Sequence, residues 1–175
     1  MEDDGVRYLA DALYNNKTLT NLYLSGNEIT DIGVEHLSLA LQDNSTLKVL
    51  ELKFYKTGYK CGMHLARLLR TNQTLIRLDL SNGNIDDEAL IYLVDALTNN
   101  TRITALNLAS NALKHEGAKY LADLFKNNAI ITTLNLGVNS LEDEGVKYLA
   151  DALKNNTVTI TSSARMPHAD VDYFI

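Results

Sequence analysis

The chain of 175 residues has no tryptophan, one cysteine, one proline and no apolar stretch long enough to span a membrane, and each shortage narrows what it can be. Cys61 stands alone, so no intramolecular disulfide framework forms, which suits a reducing compartment. The one proline, Pro167, falls near the end, leaving the body of the chain free of proline breaks. Positive charge is also short: 16 Lys and Arg against 22 Asp and Glu give a net charge of -6. A phosphate backbone or an anionic membrane is repelled by that field, so neither nucleic acid nor membrane is an expected partner. The acidic start Met1-Glu2-Asp3-Asp4 reads as neither secretory signal nor membrane span, and the expected location is cytoplasmic. Asn16, Asn44, Asn72, Asn99 and Asn155 each open an Asn-x-Ser/Thr triplet, which in that location reads as a by-product of internal repetition.

What the chain has in abundance is regularity. Leu19-x-x-Leu22-x-Leu24-x-x-Asn27-x-Ile29 is followed by Leu47-x-x-Leu50-x-Leu52, Leu75-x-x-Leu78-x-Leu80, Ile103-x-x-Leu106-x-Leu108-x-x-Asn111-x-Leu113 and Ile131-x-x-Leu134-x-Leu136-x-x-Asn139-x-Leu141, at a constant spacing of 28 residues. The alternation within each run predicts a short strand with its leucines on one side. The second half of each unit has helical spacing instead. Val34, Leu37, Ala40 and Leu41 recur as Leu90, Leu93, Ala96 and Leu97 and as Val146, Leu149, Ala152 and Leu153, a stripe fit to face the strand leucines.

Boundary residues complete the unit. Asp3, Asp31, Asp87 and Asp143 stand ahead of the helices, where a carboxylate accepts from unpaired N–H groups, and Tyr59 and His115 take that register elsewhere. Asparagine-rich pairs from Asn15-Asn16 to Asn155-Asn156 are expected to stop the helices in a left-handed turn. This predicts six helices and five full strands over residues 1–161, followed by a 162–175 tail. A sixth strand begins at Thr157 to Thr161, but Ser162 and Ala164 stand where leucines are expected, and Val171, Tyr173, Phe174 and Ile175 are candidates to cap the last unit or to pair with a partner's sheet edge. Helices are about 10 Å across and paired strands about 4.8 Å apart, so the stack bends with its strands inside. The fold class is an α/β right-handed curved solenoid with a parallel concave sheet.

These runs, with the Asp-x-Gly helix starts at Asp3/Gly5, Asp31/Gly33 and Asp143/Gly145 and the Leu-Ala-Asp-Ala-Leu segments at 9–13 and 149–153, resemble the ribonuclease-inhibitor type of leucine-rich repeat, in the style of the repeat domains of NOD-like receptors. The resemblance implies recognition of a protein by the concave face and adjoining loops, of innate-immune or regulatory type, with no chemical step and no cofactor. An inhibitor or regulator that covers an enzyme's active site, as ribonuclease inhibitor does, is the alternative, its acidity favouring a basic target. A structural or truncated array without a dedicated ligand is a third reading. An enzyme is disfavoured because the four histidines do not converge with a nucleophile or an acidic pair. Tyr8, His36, His64, Tyr92, Tyr120 and Tyr148 share one helical register and read as packing rather than as metal ligands.

The repeat breaks most strongly at Lys53 to Gly62, where Tyr55 replaces the expected asparagine and three aromatics and three lysines fall within eight residues. Aromatic and charged anchors dominate interface energetics, so an exposed contact site is expected there. The strand positions opposite the leucines extend it. Charge and bulk concentrate on the first three strands, and Tyr23, Glu51, Lys53, Phe54, Tyr55, Arg77 and Asp79 are the expected protein-binding residues, accessible as one patch. Ala105, Asn107, Ala109, Thr133, Asn135 and Gly137 offer only small or polar groups. Gly83, flanked by Asn82 and Asn84, is a lesser break, and Cys61, aligned with a glycine near a helix start, stands where a thiol pKa can be lowered, but no base accompanies it and it is not read as catalytic. Exposed apolar ends suggest weak self-association through the terminal repeats.

Overall fold

The architecture is a computed structural model that describes residues 1–54 and 58–161. Helices and strands alternate without exception in that span: α1 (Asp3–Tyr14), β1 (Asn21–Tyr23), α2 (Asp31–Leu41), β2 (Val49–Glu51), α3 (Tyr59–Thr71), β3 (Arg77–Asp79), α4 (Asp87–Thr98), β4 (Ala105–Asn107), α5 (His115–Asn127), β5 (Thr133–Asn135), α6 (Glu142–Leu153) and β6 (Thr159–Thr161). The strands form one parallel sheet in the order β1-β2-β3-β4-β5-β6, which is the solenoid expected from the repeat.

Pairing is in register from unit to unit, so Leu22, Leu50, Leu78, Leu106 and Leu134 form one column across the sheet. None of the five is more than 9% exposed. Val34, Leu37 and Leu41 on α2 and Leu90, Leu93 and Leu97 on α4 meet that column from the helix side, making a continuous core. Each fully buried leucine contributes about 1.5–3 kcal/mol, and the regular spacing places the next one beside it. Val146 departs from the expected stripe: it is 56% exposed, because among the described residues no further helix packs over α6.

The sixth strand is complete rather than partial. Ile160 pairs with Leu134 and Thr159 with Thr133, a step of 26 residues instead of 28. The shortened link draws Val158 into the core at 7% exposure, burying more apolar surface than the regular register would with Ser162 and Ala164. The tail residues 162–175, including Pro167, Val171, Tyr173, Phe174 and Ile175, lie outside the described residues.

Helix stops are built differently from the expected left-handed asparagine. Asn15, Asn72, Asn99 and Asn128 all have negative φ. The stop is instead a hydrogen-bonded ladder. Asn72 Oδ1 accepts from the backbone N–H groups of Thr74 at 2.9 Å and Leu75 at 2.8 Å, while its Nδ2 donates to Leu41 O at 2.7 Å and Asn44 O at 3.1 Å in the preceding unit. Asn44, Asn100, Asn128 and Asn156 repeat the pattern, tying each unit to the one before. The threonine of the Asn-x-Thr triplet takes part, since Thr74 Oγ1 donates to Asn44 O at 2.9 Å. With Asn44 and Asn72 only 3% and 2% exposed and fully bonded, both are closed to glycan attachment in the folded chain.

Left-handed backbone appears elsewhere, at Gly26, Asn82, Ser110 and Val138 in one register of the turn after the strand, and also at Asn84 and Glu142. The asparagines that follow satisfy that turn. Asn111 Nδ2 donates to Leu80 O and Leu108 O, each at 3.0 Å, and its Oδ1 accepts from Gly83 N at 3.0 Å and Ile85 N at 2.9 Å.

The aspartates ahead of the helices also act across units rather than on their own helix. Asp3 Oδ1 accepts from Thr30 N at 2.9 Å and Gly33 N at 3.1 Å at the start of α2, and Asp87 Oδ1 accepts from Lys114 N at 2.9 Å at the start of α5. Gly33 and Gly117 admit these carboxylates, since a β-carbon at either position would clash with them. Cys61 occupies that glycine register in α3, and Asp31 makes no such bond among the described residues.

Candidate protein-interaction surface

Alternation along each three-residue strand sends the central leucine inward and its two neighbours to the concave side. Tyr23, Glu51 and Asp79 are thereby aligned on neighbouring strands, as are Asn21, Val49 and Arg77. Tyr23 is 48% exposed. Glu51, Lys53 and Arg77 are each half-buried. Ser25 Oγ donates to the Glu51 carboxylate, and Asn21 Nδ2 donates to the Tyr23 hydroxyl at 3.4 Å. Asn21 and Ser25 therefore shape the patch, a role that their place beside Tyr23 and Glu51 in the repeat alignment could have signalled.

Two of the expected contact residues are buried instead of accessible. Asp79 is 8% exposed, and its carboxylate accepts from Ser81 N at 3.0 Å and from Asn107 Nδ2 at 2.8 Å. Asn107 and Asn135 continue the same line, accepting from Ala109 N and Gly137 N, both at 3.1 Å. A buried acceptor left unpaired costs about 1–3 kcal/mol, so closely spaced strands are held by side chains that answer the free N–H at each strand exit. Along β3 to β5 this concave register is spent inside the sheet.

Phe54 is the second correction. It is 7% exposed, bridges to Ile29, and places its ring where any side chain on Gly83 would stand. The two irregular positions explain each other: a phenylalanine fills the turn of one unit, and a glycine in the next makes room for it. Burial of a ring recovers more free energy than leaving it in water, which is why this aromatic turned inward. Tyr55 lies outside the described residues. The structure thus brings Tyr23, Glu51, Lys53 and Arg77 together on β1 to β3 and the segment leaving β2.

The place of Cys61 near a helix start does not lower its pKa. The residue is 1% exposed, and its pKa is pushed up, first by burial and then by the nearby Asp31 carboxylate. A thiol held protonated in an apolar site is a poor nucleophile and a poor metal ligand. His36 and His64 are half-buried on adjacent helices, and among the described residues no three His, Cys, Asp or Glu side chains converge as a metal-binding group.

Among the solved structures that share the fold are two examples. One is described as actin-binding site 2 of leiomodin-1, 18% identical over 90% of this chain and 76% of that one, with a TM-score of 0.55. The other is a protein of Bacteroides fragilis, 18% identical over 83% of this chain and 41% of that one, with a TM-score of 0.62. At such identity the likeness speaks for architecture alone. No curated protein matches the chain. Residues 15–38, 71–94, 99–122 and 127–150, together more than half the sequence, match the family described as Leucine Rich repeat. With one parallel sheet, one helix per 28-residue unit and an in-register leucine column, the chain belongs to the leucine-rich repeat family.

Proposed function

We propose that the chain is a non-catalytic module that binds a protein partner through the N-terminal half of its concave face, in an innate-immune or regulatory setting. The observation that carries this reading is the contrast along the sheet. In one register Tyr23 and Glu51 keep exposed or half-exposed surface on β1 and β2, whereas Asp79, Asn107 and Asn135 on β3 to β5 are 8%, 1% and 0% exposed and bonded within the sheet; Lys53 and Arg77 add half-exposed charge beside the first two. A large aromatic beside charges of both signs is the composition of an interface centre. Among the described residues His36, His64 and His115 form no metal-binding group, and Cys61 is buried.

A cytoplasmic location agrees with the buried thiol and with the blocked Asn44 and Asn72 triplets, and no described helix is long and apolar enough to cross a membrane. Regulation of an enzyme in the manner of ribonuclease inhibitor uses the same face and is supported by the acidic balance, net charge -6. The test is capture from cell extract with the wild-type chain and with a variant carrying Tyr23→Ala, Glu51→Ala, Lys53→Ala and Arg77→Ala. Proteins retained by the wild type should be lost from the variant. Equal retention by a variant with an unchanged melting curve contradicts the proposal. Actin belongs among the purified proteins tried directly, given the name of the leiomodin-1 fragment.

A further inference from the structure

The helices repeat their outer face as regularly as the strands repeat the core, so each unit serves as a control for the others. Three outward registers recur every 28 residues. In α1 they hold Asp4, Arg7 and Asp11, in α5 Glu116, Lys119 and Asp123, and in α6 Glu144, Lys147 and Asp151. These faces are charged throughout and carry their own ion pairs, Arg7 with Asp4 at 3.8 Å and Lys119 with Glu116 at 3.9 Å. In α6 a further bond from Lys154 holds the Asp151 carboxyl below its usual pKa.

The middle helices differ. The same registers read Ile32, Glu35 and Leu39 in α2, Lys60, Met63 and Arg67 in α3, and Glu88, Ile91 and Asp95 in α4. Ile32, Leu39, Met63 and Ile91 are 54%, 41%, 45% and 43% exposed, and Tyr59, paired with Tyr92 at 6.3 Å, adds a 41% exposed ring. Apolar side chains replace charge on three consecutive helices and on the side of the molecule away from the sheet. Between α2 and α3 this surface is indented into a groove of about 380 Å³, where Asp31, released from the cross-unit bond by Cys61, lies beside Ile32, Glu35, Lys60, Met63 and His64.

We propose that this convex patch is the interface of a two-fold homodimer in which α2 and α3 of one copy pack on α3 and α2 of a second. The charge pattern selects that occupant. The α2 wall of the groove carries Asp31 and Glu35, and the α3 wall carries Lys60 and His64. A two-fold axis running along the groove lays α2 of one copy over α3 of the other, so the acidic wall meets the basic wall twice while the apolar floors meet each other. Isologous contact demands this kind of self-complementarity. Two helices about 10 Å apart and about 17 Å long offer roughly 340 Å² per copy, or about 700 Å² in total, the size of a transient contact. The dimer is therefore weak and leaves both concave faces outward, giving a bivalent binder whose avidity exceeds that of one face.

Sedimentation velocity on the full chain from about 1 to 200 μM tests the proposal. The wild type should shift from monomer to dimer across that range, and Ile32→Glu with Met63→Glu should remain monomeric. Glu35→Lys alone and Lys60→Glu alone should each weaken dimerisation by at least about tenfold, because like charges then face each other. An equimolar mixture of the Glu35→Lys and Lys60→Glu chains should restore it as a heterodimer, a recovery that no pairing within one chain produces. A wild type that stays monomeric, a dimer indifferent to Ile32→Glu and Met63→Glu, or a mixture that fails to recover association each overturns the proposal. The second of those outcomes places self-association at the repeat ends instead.

Discussion

The first three units and the last three are built on one scaffold but use their surfaces differently. In β4 and β5 the concave side chains Asn107 and Asn135 are consumed by the backbone of their own units, and the outer faces of α5 and α6 are covered by charges that include local ion pairs. In β1 and β2 the same register holds Tyr23 and Glu51, with Arg77 of β3 beside them in the other concave register, and the outer faces of α2 to α4 hold Ile32, Met63 and Ile91. A repeat that follows its pattern satisfies its polar groups internally and leaves little for a partner. Departures from the pattern free side chains for contact, except where, as with Phe54 and Gly83, two departures cancel.

That contrast is one of surface, so the two halves should share equal cores. Leu50→Ala and Leu106→Ala, both at 0% exposure in the leucine column, should each cost about 2–5 kcal/mol by chemical denaturation. A large cost in one half and a negligible cost in the other would show that the halves differ in scaffold as well. The next effect is smaller and runs against the repeat. Gly83→Asn restores the pattern residue, yet it should destabilise by about 1–3 kcal/mol, because the Phe54 ring fills that space. In a Phe54→Ala background most of that cost should vanish, which a double-mutant cycle measures. Additive effects would separate the two irregularities. The smallest effect lies in the regular half, where Val138 holds a left-handed φ of 56° while 74% exposed. Val138→Gly should raise the melting temperature, by relief of about 1 kcal/mol of strain. A lowered one would mean that the valine side chain has a packing role.

Much of this was legible in the residues. The 28-residue spacing fixes the strand and helix of every unit and the identity of the core column, because burial of alternating leucines leaves few other registers. Side-chain assignments that reach across units were less legible. Asp3 and Asp87 stand where an aspartate serves its own helix, and only the stacking distance shows that they serve the next one. Asn72 and its equivalents read as left-handed stops because asparagine tolerates that backbone, whereas their amides bridge two units in ordinary backbone geometry. The two-residue slide at β6 came from competition between repeat register and burial of Val158 and Ile160, which spacing alone does not weigh. Of the proposed interaction patch, the exposed or half-exposed placement of Tyr23, Glu51, Lys53 and Arg77 followed from strand alternation. Phe54 and Asp79 did not, since whether a side chain faces solvent or its own neighbour depends on the adjoining unit.

The most direct test of the central claim is the affinity of a captured partner for Tyr23→Ala and for Thr133→Ala, measured side by side by calorimetry. Both residues flank a central leucine on the concave side, one on β1 and the other on β5. If recognition belongs to the N-terminal half, Tyr23→Ala weakens binding by at least about 2 kcal/mol and Thr133→Ala by less than about 0.5 kcal/mol. Comparable losses at both positions, or a larger loss at Thr133, would contradict it.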